Sequence, residues 1–266
     1  MTGTFQSDTG GTFIPLLSVY TLSLIFNHLV VSLIINVKLV AFFSYLWLVY
    51  QIPTIMNSIQ EIEYFRSRLE ISLSRLIRSI GPIQIGSVEQ FPYGWRKSAK
   101  GRTVWRILEE VITQNLEDKH SLFDIADVTP ADTEVGVYDT CCTFSDTPPL
   151  YINIKSAVIG GKPSKDDISK AEGLSAFYAE DPSKNFFVAT FYIRFDPAMF
   201  IEIAGVSVFP IAWIPDVYVN PSNNGNLQSS YYKDVSYAVL RTNAEFISLL
   251  ADAMEVARQK RVAKRR

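Results

Sequence analysis

The stretches "PADTEVGVYDT" (residues 130–140) and "YINIKSA" (residues 151–157) alternate apolar and polar side chains. Alternation with a period of two is typical of half-buried β-strands. We therefore predict two neighbouring strands, at about 133–144 and 150–155, joined as a hairpin. The first stretch places an aspartate, Asp132, at the start of its strand.

The second strand carries polar residues where apolar ones would serve. Side chains at positions i and i+2 lie on the same face of a strand. Asn153 and Lys155 should therefore point together, while Ile152 and Ile154 enter the core on the other face. A central strand that helices cover on both faces is normally almost all apolar. The polar face of this strand is thus a candidate functional surface.

Helices and strands are predicted on both sides of this hairpin. Apolar residues recur at helical steps of three and four before it, and Ser164 is a plausible N-cap for a helix after it, with Asp166 and Asp167 in the first turn. The expected elements are helices at 56–80, 103–116, 164–180 and 242–260, and strands at 185–195 and 204–214. This order predicts an α/β fold, with a mixed central β-sheet sandwiched by helices.

The composition excludes several classes of protein. The chain has 266 residues, is 48% hydrophobic and has a net charge of −2, so it can bury a core but has no general attraction to nucleic acid. Its two cysteines, Cys141 and Cys142, are adjacent and do not suggest a disulfide framework. With His28 and His120 as the only histidines, a histidine-based zinc site is not expected. No G-x-S-x-G, P-loop or G-x-G-x-x-G motif occurs.

The first part of the chain differs from the rest in composition. Residues 13–52 contain a single charged residue, Lys38, and the run is long enough to span a bilayer, for which about 20 apolar residues suffice. Three interpretations are open: a membrane anchor, a buried helical hairpin of the fold, or a translated extension upstream of a true start at Met56. We favour the third, in which residues 1–55 are separate and 56–266 form a cytoplasmic, bacterial functional domain.

The order of Asp132, a hairpin and Asn153-x-Lys155, with a helix before and a helix after, resembles the core of the PD-(D/E)xK nuclease superfamily. Pro130 stands two residues before Asp132, where the family often has proline directly before. Asn153 replaces the usual acidic residue, as happens in some type II restriction endonucleases. The resemblance covers about residues 101–196 and implies a restriction-endonuclease-like fold and Mg²⁺-dependent cleavage of phosphodiester bonds.

The resemblance also implies a role for each residue of the site. Mg²⁺ prefers one or two carboxylates plus water, and its implied ligands are oxygens of Asp132, Asn153 and Ile154. Lys155 would orient the attacking water and stabilise negative charge on the phosphate. The family often adds a glutamate from the preceding helix. Trp105 stands at the aligned position, Glu109 one turn later is the candidate substitute, and Glu134 is a rival carboxylate.

Two segments outside the site have the composition of DNA-contacting loops. The segment 87–102 is basic and contains Tyr93 and Trp95, which suits phosphate contacts. The segment 217–232 is rich in Asn, Gln and Ser, which can hydrogen-bond base edges in the major groove. The predicted DNA contacts are Arg96, Lys97, Lys100, Arg102, Ser156, Asn223, Asn224, Asn226, Gln228 and Ser229.

The function expected from these features is sequence-specific cleavage of double-stranded DNA, as by a type II restriction enzyme. A homodimer is expected, because cutting both strands of a palindrome calls for two sites related by two-fold symmetry. Two alternatives stay open: a membrane-anchored scaffold without catalytic activity, or a DNA-repair or mobile-element nuclease of the same superfamily. Plainer interpretations of single residues also stay open, with Asp132 as a turn residue, Lys155 as an exposed strand end and Glu109 as a solvated helix residue.

Overall fold

A computed structural model of the chain describes residues 58–96, 100–131, 136–161, 165–222 and 225–264, with 100–103 described by their backbone alone. All of these residues belong to the unit Met56–Arg266. The predictions for residues 1–55 lie outside the described residues. So do those for Lys97, Asp132, Glu134, Asn223 and Asn224, and for the side chains of Lys100 and Arg102.

The described residues include four helices. They are α1 (58–80), α2 (Lys100–Lys119), α3 (Ala171–Glu180) and α4 (Asn243–Lys264). The helical spacing predicted for α1 is confirmed, because Leu69, Leu73 and Leu76 are fully buried on one side of it. In α2, Leu108 and Ile112 form part of a similar buried stripe. None of the described helices combines the length and the apolar character needed to cross a membrane.

The strands form two sheets. The central sheet has six strands in the order β1-β7-β6-β4-β3-β2, and a smaller sheet has the order β5-β9-β8. Strands β4 and β6 are parallel, and the other neighbouring pairs are antiparallel. The strand bounds are β1 Ile83–Gln84, β2 Asp127–Pro130, β3 Thr140–Thr143, β4 Leu150–Val158, β5 Asp166–Lys170, β6 Asn185–Phe195, β7 Phe200–Pro210, β8 Tyr218–Val219 and β9 Asn226–Ser229. The prediction of an α/β fold with a mixed central sheet is confirmed.

The two faces of β4 differ as the sequence predicts. Ile152 and Ile154 are buried on one face. The other face carries Tyr151, which packs edge-on against Phe177 of α3 with ring centroids 4.9 Å apart. Asn153 and Lys155 follow Tyr151 on that face, and Asn153 is buried while Lys155 is partly buried.

Four predicted elements are wrong in part. The strand predicted at 204–214 is found at Phe200–Pro210, and a short 3-10 helix at Ile211–Trp213 follows it. The strand predicted at 133–144 is not a strand over 136–139, because β2 and β3 pair antiparallel and the chain must reverse between them. The helix predicted at 164–180 begins only with α3, and Asp166 and Asp167 lie on β5, which pairs with β9. The polar segment 217–232, expected to be a loop, contains β8 and β9.

Candidate active site

Asp139 stands just before β3, at the point where the pairing of β3 with β4 stops. Its backbone N–H donates to the carbonyl of Ile152 at 2.9 Å. Its side-chain Oδ2 accepts a hydrogen bond from the backbone N–H of Ile154. The side chain thus takes the place of a further strand residue, and the two bonds fix its carboxylate against the middle of β4.

Glu109 reaches the same place from α2. Its side chain is 21% exposed and lies beside the buried stripe of the helix, and its carboxyl group is hydrogen-bonded to that of Asp139. Burial, the charge of Asp139 and this hydrogen bond raise the pKa of Glu109 to about 7, against the smaller opposing influence of Arg106 and Lys155. Two carboxyl groups this close favour a shared proton or a bound cation.

Lys155 brings the third ionisable group, from β4. Burial lowers the pKa of its ammonium group, while the charges of Asp139 and Glu109 act in the opposite direction. A buried lysine near two carboxylates is a common feature of functional sites, although structural ion pairs produce it too. Glu109, Asp139 and Lys155 come from three separate elements, and we call them the acidic–lysine site.

Asn153 is only 7% exposed and braces the segments around this site. Its Nδ2 donates to the carbonyl of Val137 at 3.1 Å and to the carbonyl of Ile168 at 3.3 Å. These bonds tie β4 to the segment before Asp139 and to β5. A carboxylate has no hydrogen to donate to either carbonyl, which explains why an amide stands here instead of the acidic residue that the resemblance implies. Its Oδ1 is buried and has no hydrogen-bond partner in the structure.

The residues present fit a magnesium ion better than a tightly ligated transition metal. The described residues contain no group of three His, Cys, Asp or Glu side chains placed to hold a metal. They do contain two carboxylates in contact, Glu109 and Asp139, and the buried, unpartnered Oδ1 of Asn153. Mg²⁺ is commonly held by one or two carboxylates and keeps several of its waters, so this set of donors is sufficient for it.

Two clefts adjoin the site. One, of about 800 Å³, is lined by Arg106, Glu109, Tyr138 and Asp139 among others. The other, of about 750 Å³, contains Lys155 and Ser156 in its wall. Glu109 and Asp139 therefore line the first cleft and Lys155 lines the second, so each of the three ionisable groups borders a space that a substrate could enter.

Asp139 is not among the site residues that the sequence predicts. The predicted carboxylate on the first strand is Asp132, which lies outside the described residues, and Asp139 falls inside the predicted strand. The sequence feature that could have identified Asp139 is its position directly before the threonine-rich strand β3, "TCCT". An aspartate that immediately precedes a strand can accept a hydrogen bond from the backbone of the neighbouring strand. Glu109, Asn153 and Lys155 were predicted members, and the structure brings them together with Asp139.

The predicted DNA contacts that the structure describes differ in their surroundings. Arg96 is exposed, with its guanidinium 5.4 Å from the centre of the Tyr93 ring, and Ser156 lines the second cleft. Asn226 and Gln228 donate to Asp167 at 3.0 and 2.6 Å.

Ser229, also a predicted DNA contact, lies in different surroundings. This residue is fully buried and its hydroxyl donates to Asp216, so it does not face a surface that DNA can reach.

No model of a known protein family matches the chain, and no curated protein matches it significantly. The functional argument therefore depends on the geometry of the site itself.

Proposed function

We propose that the chain is a Mg²⁺-dependent endonuclease that hydrolyses phosphodiester bonds of double-stranded DNA at specific sequences, most like a type II restriction enzyme. The observation that carries the proposal is the acidic–lysine site. Asp139 before a hairpin, Asn153-x-Lys155 on the next strand and Glu109 on the preceding helix are the residue types, in the order, that the resemblance to PD-(D/E)xK nucleases implies, with Asp139 in the place first assigned to Asp132.

The chemistry of the site supports hydrolysis of a phosphodiester. Asp139 and Glu109 would hold the ion, and the resemblance implies further ligand oxygens from the side chain of Asn153 and the carbonyl of Ile154. The bound Mg²⁺ would neutralise the charge of the non-bridging phosphate oxygens. Lys155, with its lowered pKa, orients the attacking water, takes up its proton and stabilises charge on the phosphate. In the overall step water adds to phosphorus, one P–O ester bond breaks, and the departing oxygen takes up a proton from solvent.

The proposal includes a homodimer and a cytoplasmic location. Cutting both strands of a palindromic sequence uses two copies of the site. Arg96 and Ser156 remain proposed DNA contacts, with Asn226 and Gln228 on the condition that DNA displaces their bonds to Asp167.

The test is incubation of the full chain, and of the chain from Met56, with plasmid and phage-sized DNA in Mg²⁺ or in EDTA. Discrete Mg²⁺-dependent fragments are expected. The variant Asp139→Ala should abolish them, while Asp127→Asn, an exposed aspartate on β2, should not. Intact DNA with folded protein would reject the proposal. Equal cleavage by Asp139→Ala would reject this site, and a smear would favour a repair or mobile-element nuclease.

A further inference from the structure

The cleft of about 750 Å³ that begins at Lys155 continues away from the acidic–lysine site along the end of β4. Its lining follows β4 from Lys155 to Val158, roughly 10 Å at about 3.3 Å per residue, and continues into the turn after the strand. Its opposite wall is the segment 230–234 together with Tyr237. A ligand whose reacting group lies at Lys155 would therefore extend into this cleft.

Two tyrosines stand in that wall and stay exposed. The rings of Tyr231 and Tyr237 are stacked, with centroids 4.5 Å apart and planes at 25°. Tyr231 is 42% exposed and Tyr237 is 51% exposed. Two rings that pack flat against each other at a surface leave outer faces on which another flat ring can stack.

The segment that carries these rings is held in place by its own hydrogen bonds. The backbone N–H of Asp234 donates to the carbonyl of Tyr231 at 3.2 Å, and that of Tyr237 donates to the carbonyl of Asp234 at 3.1 Å. The carboxylate of Asp234 accepts from the backbone N–H of Ser236 at 3.0 Å. The pair of rings is thus preorganised, so little ordering is needed when a ligand binds.

The charged groups of the cleft are already engaged with protein partners. Asp166 is paired with Lys233, and Asp167 accepts from Asn226 and Gln228. What the cleft offers a ligand is therefore aromatic surface, the hydroxyls of Ser156 and Ser230, and Lys155 at one end, beside the carboxylates of Asp166, Asp167 and Asp234, which are bonded to protein partners. Stacking faces combined with hydroxyls and one cation suit a nucleobase with its sugar and phosphate better than they suit a simple cation or a lipid.

We infer that this cleft is a subsite for one unstacked nucleotide next to the cleaved bond, whose base stacks on the Tyr231–Tyr237 pair. The inference rests on the proposed function, because it takes Lys155 as the position of the cleaved phosphate. It adds that DNA is bound with one base outside the helical stack.

The test is binding of the full chain to short fluorescein-labelled DNA in EDTA, where no cleavage occurs, followed by fluorescence anisotropy at fixed salt. The probes are one fully paired duplex and the same duplex with a single bulged nucleotide. Base–aromatic stacking corresponds to about tenfold or more in affinity, so the bulged duplex should bind about tenfold more tightly. The double variant Tyr231→Ala/Tyr237→Ala should lose this preference, and Tyr231→Phe/Tyr237→Phe, which keeps both rings, should retain it.

Equal binding of both probes by the unaltered chain, or a preference that survives in the alanine variant, overturns the subsite. Both tyrosines are exposed, and an unchanged midpoint of thermal unfolding confirms that the variants are folded. Cleavage in Mg²⁺ is measured on the same preparations. Cleavage without a preference for the bulge rejects the subsite alone, and a preference without cleavage rejects the nuclease alone.

Discussion

Two polar regions of this molecule both contain carboxyl groups, but the surroundings of these groups are opposite in kind. In the acidic–lysine site, the carboxyl groups of Glu109 and Asp139 face each other and the pKa of Glu109 rises to about 7. In the small sheet, the carboxylates meet hydrogen-bond donors. Asp167 accepts from Asn226 and Gln228, and Asp216 accepts from the hydroxyl of Ser229 and the backbone N–H of Ser230 at 3.1 Å. We call these five side chains, Asp167, Asp216, Asn226, Gln228 and Ser229, the β9 cluster.

The difference shows which polar groups are available for chemistry. The polar groups of the β9 cluster satisfy one another, and among them Ser229 is buried while Asp167 is exposed. The acidic–lysine site places two carboxyl groups so that each disfavours ionisation of the other, and Asn153 has a buried acceptor without a partner. Arrangements of this kind disfavour the folded state and are typical of sites that bind or react. We therefore expect substitutions in the acidic–lysine site to change activity, and substitutions of Ser229 and Asp216 in the β9 cluster, which are not proposed DNA contacts, to change stability.

The largest expected effect is that of Lys155→Met. Removing the ammonium group should lower the rate of DNA cleavage by about 10²–10⁴-fold, the usual contribution of a positioned proton-transfer group. The free energy of unfolding should not fall, because burial already disfavours the charged lysine. Single-turnover cleavage and urea unfolding measure the two quantities.

The matched control is Lys165→Met. Lys165 is partly exposed and lies 3.6 Å from Asp216 in a surface ion pair, so its loss should leave the cleavage rate within a few-fold. If Lys155→Met loses stability and activity together, Lys155 is a structural lysine and the contrast between the two regions fails.

The second effect concerns Asn153→Asp. The substitution replaces two N–H donors by a carboxylate that faces the carbonyls of Val137 and Ile168, so both hydrogen bonds are lost. At about 1 kcal/mol per bond, plus the cost of carbonyls left without a donor, the free energy of unfolding at neutral pH should fall by about 2–4 kcal/mol. Urea unfolding measures the change. Asn153→Ala should lower the free energy of unfolding by less, because it introduces no charge. If the aspartate variant is as stable as the unaltered chain, the hydrogen bonds of Asn153 do not hold these segments together.

Elements with a clear periodicity of apolar residues could be predicted from the sequence. Features that depend on pairing with residues distant in the chain could not. The strand at 185–195 is found at Asn185–Phe195, because its run of buried residues has only one structural interpretation. The segment 164–180 has helix-capping residues, yet Asp166 and Asp167 pair with β9, and no local pattern shows that partner. Asp139 was missed for the same reason, since its bond to Ile154 joins residues 15 apart in the chain.

A smaller effect is expected in the β9 cluster. Ser229→Ala removes the buried hydroxyl that donates to Asp216 and leaves that carboxylate with one donor fewer. The free energy of unfolding should fall by about 1–2 kcal/mol, and the cleavage rate of the folded protein should stay within a few-fold. Urea unfolding and single-turnover cleavage at a temperature below the transition are the measurements. A strong loss of cleavage with unchanged stability would assign the β9 cluster a functional role and remove the contrast.

The smallest effect is a dependence of stability on pH that Glu109 should cause. Its pKa in the folded state, about 7, lies above the ordinary value of 4.5, so folding favours the protonated carboxyl group. Its contribution to stability is therefore complete below pH 4.5 and is lost as pH rises through 7. Unfolding midpoints at several pH values between 4 and 8, measured in EDTA for the unaltered chain and for Glu109→Gln, should diverge over this window. Glu110→Gln is the control, because the carboxylate of Glu110 is exposed and accepts a hydrogen bond from Gln114 at 2.6 Å, and it should keep the original dependence on pH.

Mg²⁺ should restore stability at pH 8 in the unaltered chain and not in Glu109→Gln, because the ion stabilises the ionised forms of Glu109 and Asp139. Parallel curves for the unaltered chain and Glu109→Gln would show that Glu109 and Asp139 do not share a site.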